Sequence, residues 1–284
     1  MTAGGGETGK ITVSDGTKIH YYLDDFTDPW LECETIVVLH GCGATGKLTY
    51  RIVPGLARKY RVLRLDERGV GESDVPPGGY KPSLERFTED VLNVIDELGL
   101  HKVHLFGFHS GGWIGAYFAL IYPDRAKSLI LCNTPFRAPQ NLEDVDKLLR
   151  QGEKDIPTAI KKLGFREYAK TPAQSLAMEK NVPPRMKEWH DKERGENPTE
   201  VEVARYGWAF SFDCRDYIGK LKLPTLIMTG ADAPFCTPEM AVEMQRMIPN
   251  AQLAIIPNAG GNIYFFHGDR CAEYILHFLR SIKD

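Results

Sequence analysis

The chain has 284 residues, 43% of them hydrophobic and 26% charged, with a formal net charge of −3. These are the proportions of a globular, enzyme-sized protein with a substantial core, and the slight acidity argues against a nucleic-acid partner or an anionic membrane surface. No run reaches the roughly 18 apolar residues of a membrane span, and the small, polar start over residues 1–10 lacks the apolar core of a secretory signal. The expected location is therefore cytoplasmic. Cys33, Cys42, Cys132, Cys214, Cys236 and Cys271 show no C-x-x-C or zinc spacing, which predicts reduced thiols and no metal site.

Residues 10–14 and 18–23 flank Asp15-Gly16-Thr17, a turn between β-rich segments that predicts an opening hairpin. Thr35-Ile36-Val37-Val38-Leu39 is a continuous β-branched run, suited to a strand covered on both faces, and it ends in His40-Gly41-Cys42-Gly43. A short apolar helix is predicted over 50–57, a strand over 60–65, and a glycine-rich turn over 66–73. Leu84, Phe87, Val91, Leu92, Ile95 and Leu98 recur at helical spacing within a capped segment, 83–99. An apolar strand then runs through the turn Gly107-Phe108-His109-Ser110-Gly111-Gly112 into a helix, and residues 128–133 form another buried strand. Strand and helix alternate throughout, as in a parallel α/β sheet. That alternation stops over 136–221, a charged, proline-broken stretch ending in Tyr206-Gly207-Trp208-Ala209-Phe210-Ser211-Phe212, and resumes with strands 223–230 and 252–256 and helices 238–247 and 269–282.

The strand-turn-helix at 103–113 resembles the nucleophile elbow, G-x-S-x-G, of the α/β-hydrolase superfamily, here in an enol-lactonase-like or maspardin-like branch. The resemblance implies an α/β-hydrolase fold: a mostly parallel eight-stranded sheet flanked by helices. Residues 1–135 and 222–284 would form the core, with a helical lid, 136–221, inserted after the sixth strand. Setting Gly107 and Gly111 on the motif glycines puts His109 at the nucleophile position. The alternative, Ser110 as nucleophile, would force Phe108 into a place where the turn needs a small residue. The His40-Gly41 loop resembles the family's H-G loop, which implies an oxyanion hole from the N–H groups of Cys42 and Ser110. Asp66 to Ser73 is similar to the family's D-x-R-G-x-G-x-S turn, a structural feature knitting the pocket floor.

At the other two triad positions the chain departs from the family. The acid position in Gly230-Ala231-Asp232-Ala233 is Ala233, with Asp232 one residue early. The histidine position in Pro257-Asn258-Ala259-Gly260-Gly261 is Gly261, or Asn262 in a looser alignment. These residues lead to the expectation of a cofactor-free enzyme in which His109, kept neutral by the helix it precedes, is a general acid or base helped by the Ser110 hydroxyl. Its chemistry would be that of a lyase, isomerase, decarboxylase or cyclase on a small apolar carbonyl compound. His40 and His267 are candidate proton partners, and Gly41, Trp113, Trp208 and Phe212 candidate pocket walls. A noncatalytic small-molecule receptor, and a hydrolase using His109, are the competing readings. Homodimerisation is compatible with either.

Overall fold

Ile36 and Val38 point to one face of the third strand and Val37 and Leu39 to the other, and all four are buried. Such a strand needs helices on both sides. The computed structural model describes residues 5–137, 149–171 and 182–282. Its strands are β1 (Gly5–Thr12), β2 (Lys18–Asp25), β3 (Thr35–Leu39), β4 (Arg61–Leu65), β5 (Val103–Phe108), β6 (Ala126–Cys132), β7 (Thr225–Gly230) and β8 (Ala251–Ile256). They form one sheet in the order β1-β2-β4-β3-β5-β6-β7-β8, antiparallel at β1-β2 and β2-β4 and parallel thereafter.

The helices are α1 (Val53–Leu56), α2 (Leu84–Glu97), α3 (Ser110–Ile121), α4 (Ile156–Leu163), α5 (Phe165–Tyr168), α6 (Pro184–Gly195), α7 (Thr199–Ala209), α8 (Arg215–Ile218), α9 (Pro238–Met247), α10 (Ile263–Phe266) and α11 (Gly268–Ser281). Val37 and Leu39 join a core with α2, α3 and α9, while Ile36 and Val38 join one with α1 and α11. The helix anticipated over 50–57 is shorter: residues 46–52 wind as a 3-10 helix and α1 covers a single turn. Pro54 sits in that first turn, where its missing N–H costs nothing. Helices α4 to α8 lie between β6 and β7; α4 to α7 pack mainly on one another and Ile218 of α8 joins the core of α2 and α3, while parts of the anticipated lid, 138–148 and 172–181, fall outside the described residues. No described helix is long and apolar enough to cross a membrane.

The chain moves outward from β3 to β4, then returns to place β5 on the other side of β3. A crevice opens at such a reversal, beyond the carboxyl ends of the strands. The register pairs Leu39 with Gly107, so residues 40–42 leave the sheet beside 108–110. Contact there is between backbones. A Cβ on Gly111 would lie 2.2 Å from the Leu39 carbonyl oxygen, and one on Gly107 2.4 Å from the Gly112 Cα. Gly111→Ala should therefore lower the thermal midpoint by about 2–4 °C for each kcal/mol of strain introduced, whereas Gly78→Ala, with nothing within 4 Å of the new methyl, should stay within about 0.5 kcal/mol of the natural chain. Differential scanning calorimetry of the two variants checks this.

Candidate active site

His109 stands at the tip of the turn between β5 and α3 with φ 47° and ψ −119°, a left-handed conformation that costs energy in a non-glycine residue. Its backbone is held by hydrogen bonds from its N–H to the Cys132 carbonyl (3.1 Å) and from the Gly112 N–H to its own carbonyl (3.0 Å). The imidazole stacks on Phe108 at 4.1 Å between centroids and meets the edge of Phe235 at 5.8 Å. Its ring nitrogens make no hydrogen bond among the described residues, and the residue lines a cavity. Desolvation between the aromatic rings, reinforced by the Arg194 guanidinium, lowers its pKa from 6.5 to about 3. The ring is neutral at pH 7.

The anticipated oxyanion hole is altered. The Cys42 N–H donates to the Ser110 hydroxyl at 3.0 Å, and the Cys42 sulfur lies 3.4 Å from the same oxygen. The Cys42 N–H, expected to be free as a donor, is thus engaged by the protein's own hydroxyl. Ser110 N–H, a first-turn amide of α3, has no acceptor within the helix.

The cavity has a volume of about 100 Å³. Around His109 and Ser110 its wall includes Cys42, Phe108, Trp113, Tyr206, Phe210, Phe235 and Tyr264. His190 and Arg194 bring polar groups into it from α6, and no carboxylate lines it among the described residues. Arg194 donates through Nε to the Gly43 carbonyl at 2.7 Å and through Nη2 to the Tyr206 hydroxyl at 3.3 Å. Residues 190 and 194 are four apart, so they share a helix face. That spacing was the available sign in a stretch otherwise read as charged lid.

Several anticipated wall residues lie elsewhere. Trp208 and Phe212 pack behind Trp113, Phe212 stacking on it at 4.4 Å and Trp208 meeting it edge-on at 5.7 Å. Gly41 is beneath the wall, where a Cβ would meet the His109 Cβ at 2.9 Å. His40 is fully buried outside the cavity: its Nε2 accepts from the Glu67 N–H at 3.0 Å, which leaves the proton on Nδ1, 3.0 Å from the Gly41 carbonyl. Both nitrogens are engaged in holding the loop. His267 is also outside the lining, at the start of α11. The 66–73 turn does not floor the pocket. It knits the frame, Asp66 accepting from the Gly46 and Glu72 N–H groups at 2.7 and 3.1 Å.

Ala233 is buried, and Asp232 is exposed, so the neighbouring carboxylate points away from the cavity. Gly261 is tied down by Asn133, whose side-chain amide donates to the Gly260 and Gly261 carbonyls. Asn262 follows, buried and in the cavity wall.

A profile of the α/β-hydrolase fold matches residues 34–268, the span from β3 through the elbow and inserted helices into α11. The chain belongs to the α/β-hydrolase fold family. This α/β-hydrolase is 25% identical to a Bacillus subtilis (strain 168) protein provisionally named 2-succinyl-6-hydroxy-2,4-cyclohexadiene-1-carboxylate synthase, over 97% of this chain and 99% of that one. It is 28% identical to the 2-hydroxy-6-oxononadienedioate/2-hydroxy-6-oxononatrienedioate hydrolase of Burkholderia vietnamiensis (strain G4 / LMG 22486), over 94% and 93% of the two chains. The solved enol-lactonase of Burkholderia xenovorans LB400 shares its fold, with a TM-score of 0.75 at 24% identity, covering 96% of this chain and 100% of that one.

Ser110→Ala should leave the half-buried Cys42 N–H without its acceptor and cost about 1 kcal/mol, read as a lower midpoint in urea. For His109, the unfolded ring takes up a proton near pH 6.5 and the folded ring near 3, so the unfolded state binds the extra proton between these values. The contribution of this ring to folding stability then falls as pH drops from 7 toward 5. His109→Asn, which does not titrate and tolerates positive φ, should lose less stability over that interval, measured by denaturant titration at each pH.

Proposed function

We propose that this α/β-hydrolase is a cofactor-free acid–base enzyme acting on a small carbonyl compound that also carries a carboxylate. The observation behind this reading is His109, held on the elbow in the wall of a mostly apolar cavity that no carboxylate lines among the described residues. A serine protease-like triad needs an acid behind its imidazole; an imidazole that is itself the proton acceptor does not. The substrate carbon next to the carbonyl would give its proton to His109, and the bond's electron pair would move onto the carbonyl oxygen. That oxygen would be stabilised by the Ser110 N–H and, once the Ser110 hydroxyl rotates aside, by the Cys42 N–H. Return of the proton to another atom completes an isomerisation; departure of a group from the enolate completes a lyase step.

Arg194 explains both the substrate charge and the working pKa. A carboxylate seated on the guanidinium would be fixed at one end of the cavity. It would also neutralise the positive charge that, together with burial, weakens His109 as a base. Substrate binding would thus raise the basicity of the group that attacks it. The names of both relatives describe small carboxylates, and one of them is a synthase.

Incubating a host metabolite extract with the natural protein and with His109→Ala, followed by mass spectrometry, tests the reading. A compound consumed by the natural protein and spared about 100-fold or more by the variant is the expected result. A compound retained unchanged by both proteins would sink the catalytic reading and leave a receptor.

A further inference from the structure

His190 is a second imidazole in the wall of the cavity, 1% exposed, delivered by α6. Its Nδ1 lies 3.5 Å from a carboxylate oxygen of the adjacent Asp191, and neither atom has a hydrogen-bond partner. The other Asp191 oxygen is paired with Lys187, whose side chain is 39% exposed. Phe265, 4.8 Å away between centroids, and Phe266, 6.3 Å away, close the ring off from the α10 side. A buried imidazole and a buried carboxylate oxygen, each unsatisfied and slightly too far apart to bond, are costly as a purely structural pair. Catalytic hydrogen bonds are often long in the empty site and tighten when substrate enters. The run from His190 through Asp191 to Lys187 also leads from the cavity to the surface, where protons exchange with solvent.

We infer that His190, oriented by Asp191, is the second proton-transfer residue of this cavity. The inference rests on the acid–base reading of the site and adds its missing half. His109 takes the proton from the substrate carbon while the electron pair moves to the carbonyl oxygen. His190, having gained a proton from solvent with Asp191 balancing its charge, delivers that proton to the product atom. The His109 proton then returns to solvent, so one proton enters and one leaves per turnover. The division of labour follows from surroundings: His109 sits among apolar rings with Arg194 as its charged neighbour, whereas His190 has a carboxylate beside it to stabilise the imidazolium. Desolvation, Arg194 and Lys187 lower the His190 pKa, and Asp191 opposes them.

The test uses the full chain and the metabolite-extract assay with four proteins: natural, His109→Ala, His190→Gln and Asp191→Asn. His190→Gln should slow conversion about 100-fold, and Asp191→Asn should slow it less and move the alkaline limb of the rate-against-pH profile to lower pH. Nitrogen-15 NMR of the imidazoles should show the His190 pKa falling in Asp191→Asn with that of His109 unmoved. A folded His190→Gln that converts at the natural rate while His109→Ala does not overturns this inference and spares the His109 reading. If His109→Ala converts normally and His190→Gln does not, the His109 reading fails and His190 stands as the base. Natural-rate conversion by both variants, or none by the natural protein, overturns both. Circular dichroism of each variant separates lost chemistry from lost folding, and a His190→Gln that does not fold is replaced by His190→Asn.

Discussion

Everything at the candidate site depends on how closely the backbone leaving β3 approaches the backbone leaving β5. Gly111 lies against the Leu39 and His40 carbonyls, Gly107 against Gly112, and Gly112 against Thr134, at distances no Cβ tolerates. This contact tips His109 into its positive-φ conformation and aims its ring into the crevice where the strand order reverses. The strain is local, and the two-sided core around β3 holds it in place.

The inserted helices are fastened to this contact by buried charge. Arg205 of α7, fully buried, pairs with Glu202 at 2.7 Å and Glu67 at 2.8 Å and donates to the Gly41 carbonyl at 3.1 Å. Glu202 also accepts from the Gly43 N–H at 3.1 Å and from Asn197 at 2.8 Å. With Arg194 on the Gly43 carbonyl, two guanidiniums and two carboxylates converge on the loop that follows β3. Burying such a cluster is expensive, and removing one member strands its partners at a cost of about 3–5 kcal/mol. Its return is geometric: α6 and α7 are held in one position over the elbow, which places His190 and Arg194 in the cavity. Glu67, in the 66–73 turn, thereby connects the frame to the inserted helices.

The cavity itself is electrically sparse. Its polar groups are imidazoles, a guanidinium, hydroxyls and an amide, set among aromatic rings. In such a medium an added carboxylate changes every neighbouring equilibrium. The Ser110 hydroxyl keeps the half-buried Cys42 N–H satisfied.

Local pattern determined the fold. The β-branched run at 35–39, the period of 84–98, and the glycines around His109 each specify their element through short-range sterics and burial, and the structure follows them closely. The odd residue at the elbow was legible for the same reason, because the turn's glycines mark the tip. Which face of each inserted helix meets the cavity was not. Trp208 with Phe212 and Tyr206 with Phe210 are both aromatic pairs four residues apart, and periodicity treats them alike. The first pair packs behind Trp113, and the second lines the cavity. The choice is made by Arg205, which precedes both pairs and whose pairing with Glu67 fixes the rotation of α7. His190 and Arg194 share a face by spacing, but their face meets the elbow because Arg194 reaches Gly43, more than 150 residues earlier. Contacts between residues so distant along the chain exist only once the sheet and the inserted helices are assembled, so tertiary structure decided the cavity.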